Sequence, residues 1–549
     1  MRITYNDKLN KLLNPYLESL LKEKSSLEPE TLTLFDLFME DLDMGGRYGI
    51  FSEILEPRLE EIIREENIES IANLMDGRLN TLFRYMLGDE FAGLFHTYLQ
   101  LEARCPHTIG YDRRAQRSAH PSNHLDHARD AWLQFLKLRA TGFSVEAILK
   151  GGNTPEDTEE FSGYMNSSYW LAAQIAQGNE KVIEYLNQVL TSENNVHRLQ
   201  RWYLHAIAIS GHRPLLELEG KLLLAAKLQE GLRQAIVETM DEGCPESYLY
   251  LFSIIYNNGL QRFASVKRSI AVCTGIGEQD SSERITNKYV ELIWNFLNHP
   301  ETARNTLQSK DTVELYLALW SIGFYDTDEI RAIVPDIIRK GAKHQIQTLL
   351  YFLRCTQSSQ MNHLISKDAF EVWHDDPKVV AAILPLYMDG LYLSRYSDNK
   401  EAPTLSDYFE TPEEAVRHYG YLKQVYQSIS AKEIYSPYVF PWDCVVLTRS
   451  DVVLKMAYIA WMTNDIRLRE ELCTYLPALE SYNRASYIGI VLPRTESKVE
   501  QEYVLQSLGD RSADIRDEAY KVLSEMSLSP EQYQHIEELL RFKYSEMRI

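Results

Sequence analysis

The stretch Leu508-Gly-Asp-Arg-Ser-Ala-Asp-Ile515-Arg516-Asp-Glu-Ala519-Tyr-Lys-Val522-Leu523-Ser-Glu-Met526 decides the fold. Its apolar residues Ile515, Ala519, Val522, Leu523 and Met526 follow an i, i+4, i+7, i+8, i+11 spacing, which buries one stripe of a helix. A second unit opens at Leu539-Leu540-Arg541 and runs to Met547-Arg548, so that Arg516 and Arg548 lie 32 residues apart. That offset falls in the period range of stacked helical repeats. Each such repeat exposes an apolar face that only a neighbouring repeat covers. The expected fold is all-α: an α-solenoid of degenerate helical repeats with a helical N-terminal cap.

The same signals recur upstream. Between Asp311 and Gly341, Val313, Tyr316, Leu317 and Trp320 stripe one helix, and Ile330, Ile333, Val334, Ile337 and Ile338 stripe the next. Leu222 to Met240, Tyr248 to Ile255 and Phe263 to Cys273 read as further helices, with Leu232 and Val266 in comparable places 34 residues apart. Thr154-Pro, Thr411-Pro and Ser529-Pro each offer a hydroxyl N-cap followed by a proline at the first helical position. β-Branched residues do not cluster in alternating runs, so strands are not expected. Four segments follow: residues 1–130, a helical region ending in a basic, histidine-rich loop; 131–390, degenerate helical repeats; 391–445, a tyrosine-rich insertion; and 446–549, C-terminal repeats. The last residues resemble the opening of a repeat's second helix, which suggests that the array continues beyond residue 549 or docks its end on a partner.

The Leu508 to Leu523 pattern resembles a HEAT or armadillo-type repeat. Gly259 to Arg268 and Glu538 to Arg548 are similar in style to the helical N-terminal part of large bacterial proteins labelled molybdate-metabolism-regulator-like. These resemblances imply a helical-repeat fold and carry over no catalytic residue.

Composition narrows the function classes. A chain of 549 residues exceeds what one compact core supports, and an array grows by addition instead. With 45 % hydrophobic residues it buries a core rather than remaining disordered. The net charge of −22 opposes sequence-independent binding to nucleic acid or to an anionic membrane face. The most apolar windows, Leu222 to Ala226 and Val379 to Leu386, are too short for a membrane span. Six cysteines without a CxxC pair fit reduced thiols and a cytoplasmic location.

Candidate chemistry is sparse. Cys105, His107, His120, His124, Asp126 and His127 could hold zinc, with His124 and His127 the best-spaced pair, but no strong metal-ligand spacing supports them. The plain alternative is a solvated loop running into a helix. Arg113, Arg114 and Arg117 form a basic island that either seats an anion or pairs with acidic neighbours in the same chain. Tyr396, Tyr408 and Phe409 lead the tyrosine-rich insertion, a composition that suits recognition surfaces; Tyr419, Leu422 and Tyr426 are spaced as a core helix. Arg233, Lys267, Arg331 and Arg516 fall on second helices of repeats, where a concave face would present them. No phosphate loop, nucleophile elbow, dinucleotide fingerprint or EF-hand occurs, and nothing calls for a cofactor. The expected function is a non-catalytic scaffold for a protein or peptide partner. The alternatives are a nucleic-acid-acting protein, as in DNA glycosylases built of HEAT-like repeats, and a metal-dependent enzyme using the histidine-rich loop.

Overall fold

The computed structural model describes residues 7–43, 55–68, 70–105, 107–109, 112–116, 121–149, 168–192, 199–226, 229–274, 286–325, 327–356, 359–389, 391–394, 402–430, 434–437, 444–493 and 495–540. The chain divides into two compact units, residues 1–305 with 320–328, and residues 306–319 with 329–549. The described residues are overwhelmingly helical, as the sequence periodicity requires, and none of their helices is long and apolar enough to cross a membrane.

The first unit opens with α1 (Asp7–Glu23), α2 (Pro29–Asp43), α3 (Leu55–Glu65) and α4 (Leu79–Glu102). An antiparallel hairpin of β1 (His107–Ile109) and β2 (Asp112–Gln116) follows, then α5 (Pro121–Thr141) and α6 (Val145–Leu149). The histidine-rich segment is therefore not a loop, as expected from sequence, but a short hairpin leading into a helix. Aromatic side chains close this region: Trp132 on α5 stacks on Phe38 at 5.3 Å and meets the edge of Phe83 at 4.5 Å.

A regular series comes next: α7 (Ser168–Ala176), α8 (Glu180–Thr191), α9 (Arg201–Ser210), α10 (Arg213–Ala225), α11 (Glu230–Asp241), α12 (Pro245–Asn258), α13 (Ala264–Cys273) and α14 (Asn287–Asn298). Helix α7 packs on α9, α9 on α11 and α11 on α13, while α8 packs on α10, α10 on α12 and α12 on α14. The 34-residue offset between Leu232 and Val266 thus relates α11 to α13, two helices that lie side by side. The span Leu222 to Met240, read as one helix, is broken between Ala225 and Glu230. Gly211, at φ 66° after α9, has no room for a side chain, because a Cβ would sit 2.8 Å from Cys244 Sγ.

The chain continues through α15 (Pro300–Thr306), α16 (Thr312–Tyr325) and α17 (Thr327–Lys340), the expected helix pair between Asp311 and Gly341. The second unit then holds α18 (Lys343–Thr356), α19 (Ser359–Trp373), α20 (Pro377–Ile383) and α21 (Pro412–Ser428). The hairpin β3 (Ile434–Pro437) and β4 (Cys444–Leu447) packs on α20. The rest is α22 (Arg449–Thr463), α23 (Ile466–Leu472), α24 (Ser481–Val491), α25 (Lys498–Ser507), α26 (Ala513–Ser524) and α27 (Pro530–Leu540). Here too α22 meets α24, α24 meets α26, α23 meets α25 and α25 meets α27. Ile515, Ala519, Val522 and Leu523 are buried on α26, the stripe that the sequence announces.

Local signals explain the helix starts. Thr411 Oγ1 accepts the Glu414 N–H at 3.1 Å, and Ser529 Oγ accepts the Gln532 N–H at 3.3 Å. Thr154 lies outside the described residues. Cys105, Cys244 and Cys473 are free and buried.

Candidate functional site

The densest polar constellation of the second unit joins α19, the turn after α20, the segment preceding α21, and α21 itself. Helix α19 presents His363, Lys367, Phe370 and Glu371 at helical spacing, and α21 presents Glu414, Arg417, His418 and Tyr421. His363 and His418 are both buried.

His418 sits in a relay. The Tyr387 hydroxyl lies 2.8 Å from Nδ1, and Glu371 Oε1 lies 3.2 Å from Nε2. Burial pushes the Tyr387 phenol far above its ordinary range, so it stays protonated and donates to Nδ1, leaving Nε2–H to donate to Glu371. His363 takes the same tautomer: the Met388 N–H donates to Nδ1 at 2.9 Å, and Nε2–H donates to the Tyr408 carbonyl at 2.9 Å. Burial lowers both imidazoles, His363 to about 4, so each is neutral at neutral pH. The aromatic packing is tight around them: Phe409 meets His418 at 5.4 Å, Tyr408 meets His363 at 4.9 Å, and His374 stacks on Tyr421 at 3.9 Å.

Charges in the cluster pair internally. Lys367 Nζ lies 3.0 Å from Glu414 Oε1, and Arg417 lies 2.6 Å from Glu371 Oε1. The Arg417 hydrogen bond holds Glu371 below the usual carboxylate range. Burial pushes Glu414 up, but the Glu410 N–H and Lys367 outweigh it and its carboxyl is also lowered.

One ligand atom each from Glu371, Glu414 and His418 lies within 4.8 Å of the others, a spacing that invites a metal. The charge balance argues otherwise. Two carboxylates, one ammonium, one guanidinium and a neutral imidazole already sum to zero, and a divalent cation would leave two uncompensated positive charges beside buried groups. The residues do not fit a metal centre; they fit a closed ion-pair and hydrogen-bond network that fastens the segment around Tyr408 and Phe409 to α19 and α21.

The sequence-derived site residues are scattered. Phe409 is 1 % exposed and Tyr408 is half-buried with its backbone carbonyl held by His363, so this part of the tyrosine-rich insertion packs inward. Arg233 is a correction: it is buried, lies 3.9 Å over the Phe263 ring and donates to the Ala226 carbonyl at 3.0 Å, tying α11 to α13. Arg516 caps the loop before its own helix, donating to the carbonyls of Asp510 and Arg511. Lys267 is partly exposed on α13. Arg113 and Arg114 lie on β2, His124 and His127 on α5 and Arg331 on α17, with their side chains outside the described set; Arg117, His120 and Tyr396 lie outside it altogether. An open cleft of about 720 Å³ elsewhere in the second unit is lined by Lys343, Trp373, Asp376, Lys378 and Ile434, among others, with Lys343 and Asp376 paired across it.

His363, Tyr387 and His418 were missed from sequence. The one available signal was Glu414-x-x-x-His418, whose i, i+4 spacing puts both groups on one helix face.

An all-α chain built of sequential helices, with an internally neutral polar hub, is the class that these observations define. Within it, the sequence profile of a family of unknown function (DUF5724) matches residues 34–549, and the chain belongs to that family. No curated protein and no solved structure matches it.

Proposed function

We propose that the protein is an α-solenoid acting as a cytoplasmic, non-catalytic scaffold for a protein or peptide partner. The observation that carries this reading is the packing of each helix on its next-but-one neighbour, in two parallel series from α7 to α14 and again from α22 to α27. Helical hairpins stacked in this way bury a core that grows by addition and leave extended faces available for binding. The closed charge balance of the histidine hub agrees with a structural rather than catalytic role for it. The acidic net charge of −22 weighs against a nucleic-acid partner, and the reduced, buried cysteines agree with a cytoplasmic location. Exposed Tyr392, Tyr482, Tyr520 and Tyr533 offer aromatic anchors on the second unit. The test is an untagged pull-down from native extract at low and high salt, read by mass spectrometry and nucleic-acid staining. A stoichiometric protein retained at high salt supports the scaffold; salt-labile nucleic acid without such a protein overturns it.

A further inference from the structure

His363 joins two separate stretches of backbone to α19. Its Nδ1 accepts the Met388 N–H at 2.9 Å, in the turn after α20, and its Nε2–H donates to the Tyr408 carbonyl at 2.9 Å, in the segment before α21. The side chain is 1 % exposed, so neither bond has water as a substitute. Met388 is fully buried and held at φ 52°, a left-handed backbone that is costly for a residue with a Cβ and persists only where its surroundings hold it. Residues 402–411 wind on themselves: the Asp407 N–H goes to the Thr404 carbonyl, and those of Tyr408 and Phe409 go to Leu405. Among the described residues, the bond to His363 is the sole hydrogen bond from this segment to α19. The Tyr408 and Phe409 rings rest on the same imidazole at 4.9 and 6.1 Å.

These partners admit one protonation state. A backbone N–H on one ring nitrogen and a carbonyl on the other require a neutral imidazole with one acceptor and one donor. A proton added at Nδ1 sets two N–H donors against each other at 2.9 Å in a buried site. Charged groups reach His363 from three helices, Lys367 of α19, Lys455 of α22 and His418 of α21, and each opposes the added proton. The carboxylates nearby are engaged: Lys367 holds Glu414 at 3.0 Å and Arg417 holds Glu371 at 2.6 Å. Asp389, next to Met388, is the acid of the turn itself. Tyr387 and Tyr408 are the phenols beside the ring, and burial keeps both protonated.

We propose that His363 is the pin of an acid-released latch: a proton taken up at Nδ1 breaks the Met388 bond, and the Met388 turn and residues 402–411 come away from α19 together while the helices stay packed. This goes beyond the scaffold reading and does not depend on it. Burial outweighs the Tyr408 carbonyl and draws the closed imidazole down to about 4, against 6.5 for an open one. The closed form is therefore fully stable above 6.5 and loses ground as pH falls towards 4. Opening rises by about tenfold for each pH unit in that window, and by roughly 300-fold across it. Release uncovers Phe409, which is 1 % exposed in the closed form.

The experiment is hydrogen exchange on the full chain from pH 6.5 down to 4.5, read by peptide mass spectrometry and corrected for the intrinsic pH dependence of exchange. Peptides covering residues 386–391 and 402–411 are expected to lose protection in step, about tenfold per pH unit, while those from α19, α21 and α26 change by less than about threefold. Constant protection in the two segments, a loss in only one of them, or an equal loss in the helices overturns the proposal; the last would be unfolding of the whole unit. His363→Gln removes the titrating group and keeps an amide that can donate and accept. It is expected to exchange faster than the parent at pH 6.5 and with a flat profile, and a pH slope as steep as the parent's overturns the proposal. If that variant does not fold, the profile of the unmodified chain decides alone. Neither readout involves partner binding, so the scaffold can stand or fall separately.

Discussion

Single buried groups set the acid–base character of this chain. Glu219 on α10 is 0 % exposed, and neither carboxylate oxygen has a hydrogen-bond partner. Burial pushes its carboxyl well above the ordinary 4.5. The Thr239 hydroxyl donates to the Ala235 and Ile236 carbonyls of its own helix, and its opposing pull on Glu219 is the smaller effect. Glu219 therefore keeps its proton to higher pH in the fold than in the unfolded chain. Because the unfolded chain releases this proton at lower pH than the folded one, stability falls as pH rises from about 4.5 towards the raised folded value. Glu219→Gln, which keeps the shape without the charge, is expected to raise the melting temperature at neutral pH and flatten that slope; an equal loss at acidic and neutral pH would contradict it. His363 has the opposite sign. Its folded value of about 4 lies below the ordinary 6.5, so stability is complete above 6.5 and is lost as pH falls towards 4, by on the order of 3 kcal/mol. Denaturant midpoints measured across that range check it, with His418 adding in the same direction.

Between elements, the C-terminal helices are joined by a buried ion pair. Arg469 on α23 holds Glu500 on α25 with two bonds of 2.8 and 2.7 Å, and Glu500 is fully buried. Arg469→Ala leaves that carboxylate with the Thr495 hydroxyl, too little to replace a guanidinium. A loss of about 3–5 kcal/mol is expected, because an uncompensated buried charge costs more than the pair contributes. The Arg469→Ala, Glu500→Gln double variant is expected to recover part of it. Chemical denaturation of the single and double variants decides; equal, additive losses would show that the two side chains do not act together.

For the whole molecule, the division into two compact units predicts two calorimetric transitions, with Glu219→Gln moving one and Arg469→Ala the other. A single transition displaced by both substitutions would show one cooperative core. The stripe of Ile515, Ala519, Val522 and Leu523, the proline starts at Pro412 and Pro530, and the helix pair α16 and α17 were all legible in the sequence, because helical periodicity and capping depend on residues within a few positions of one another. The hairpins β1–β2 and β3–β4 were not, because their short strands carry no alternating apolar run. Arg233 reads as a surface residue and Phe409 as either surface or core, since nothing in the order of residues says which long side chain a later helix will cover. The histidine hub shows the same limit. His363, Tyr387, Tyr408 and His418 are spread over 55 positions, and their neutral, donor-matched arrangement exists only once α19 and α21 are packed together. Sequence by itself determined the helices, their starts and the acidic charge, because these are local or additive quantities. Tertiary structure alone decided which polar groups are buried, paired or left without a partner, because burial and charge balance depend on distances between segments far apart in the chain.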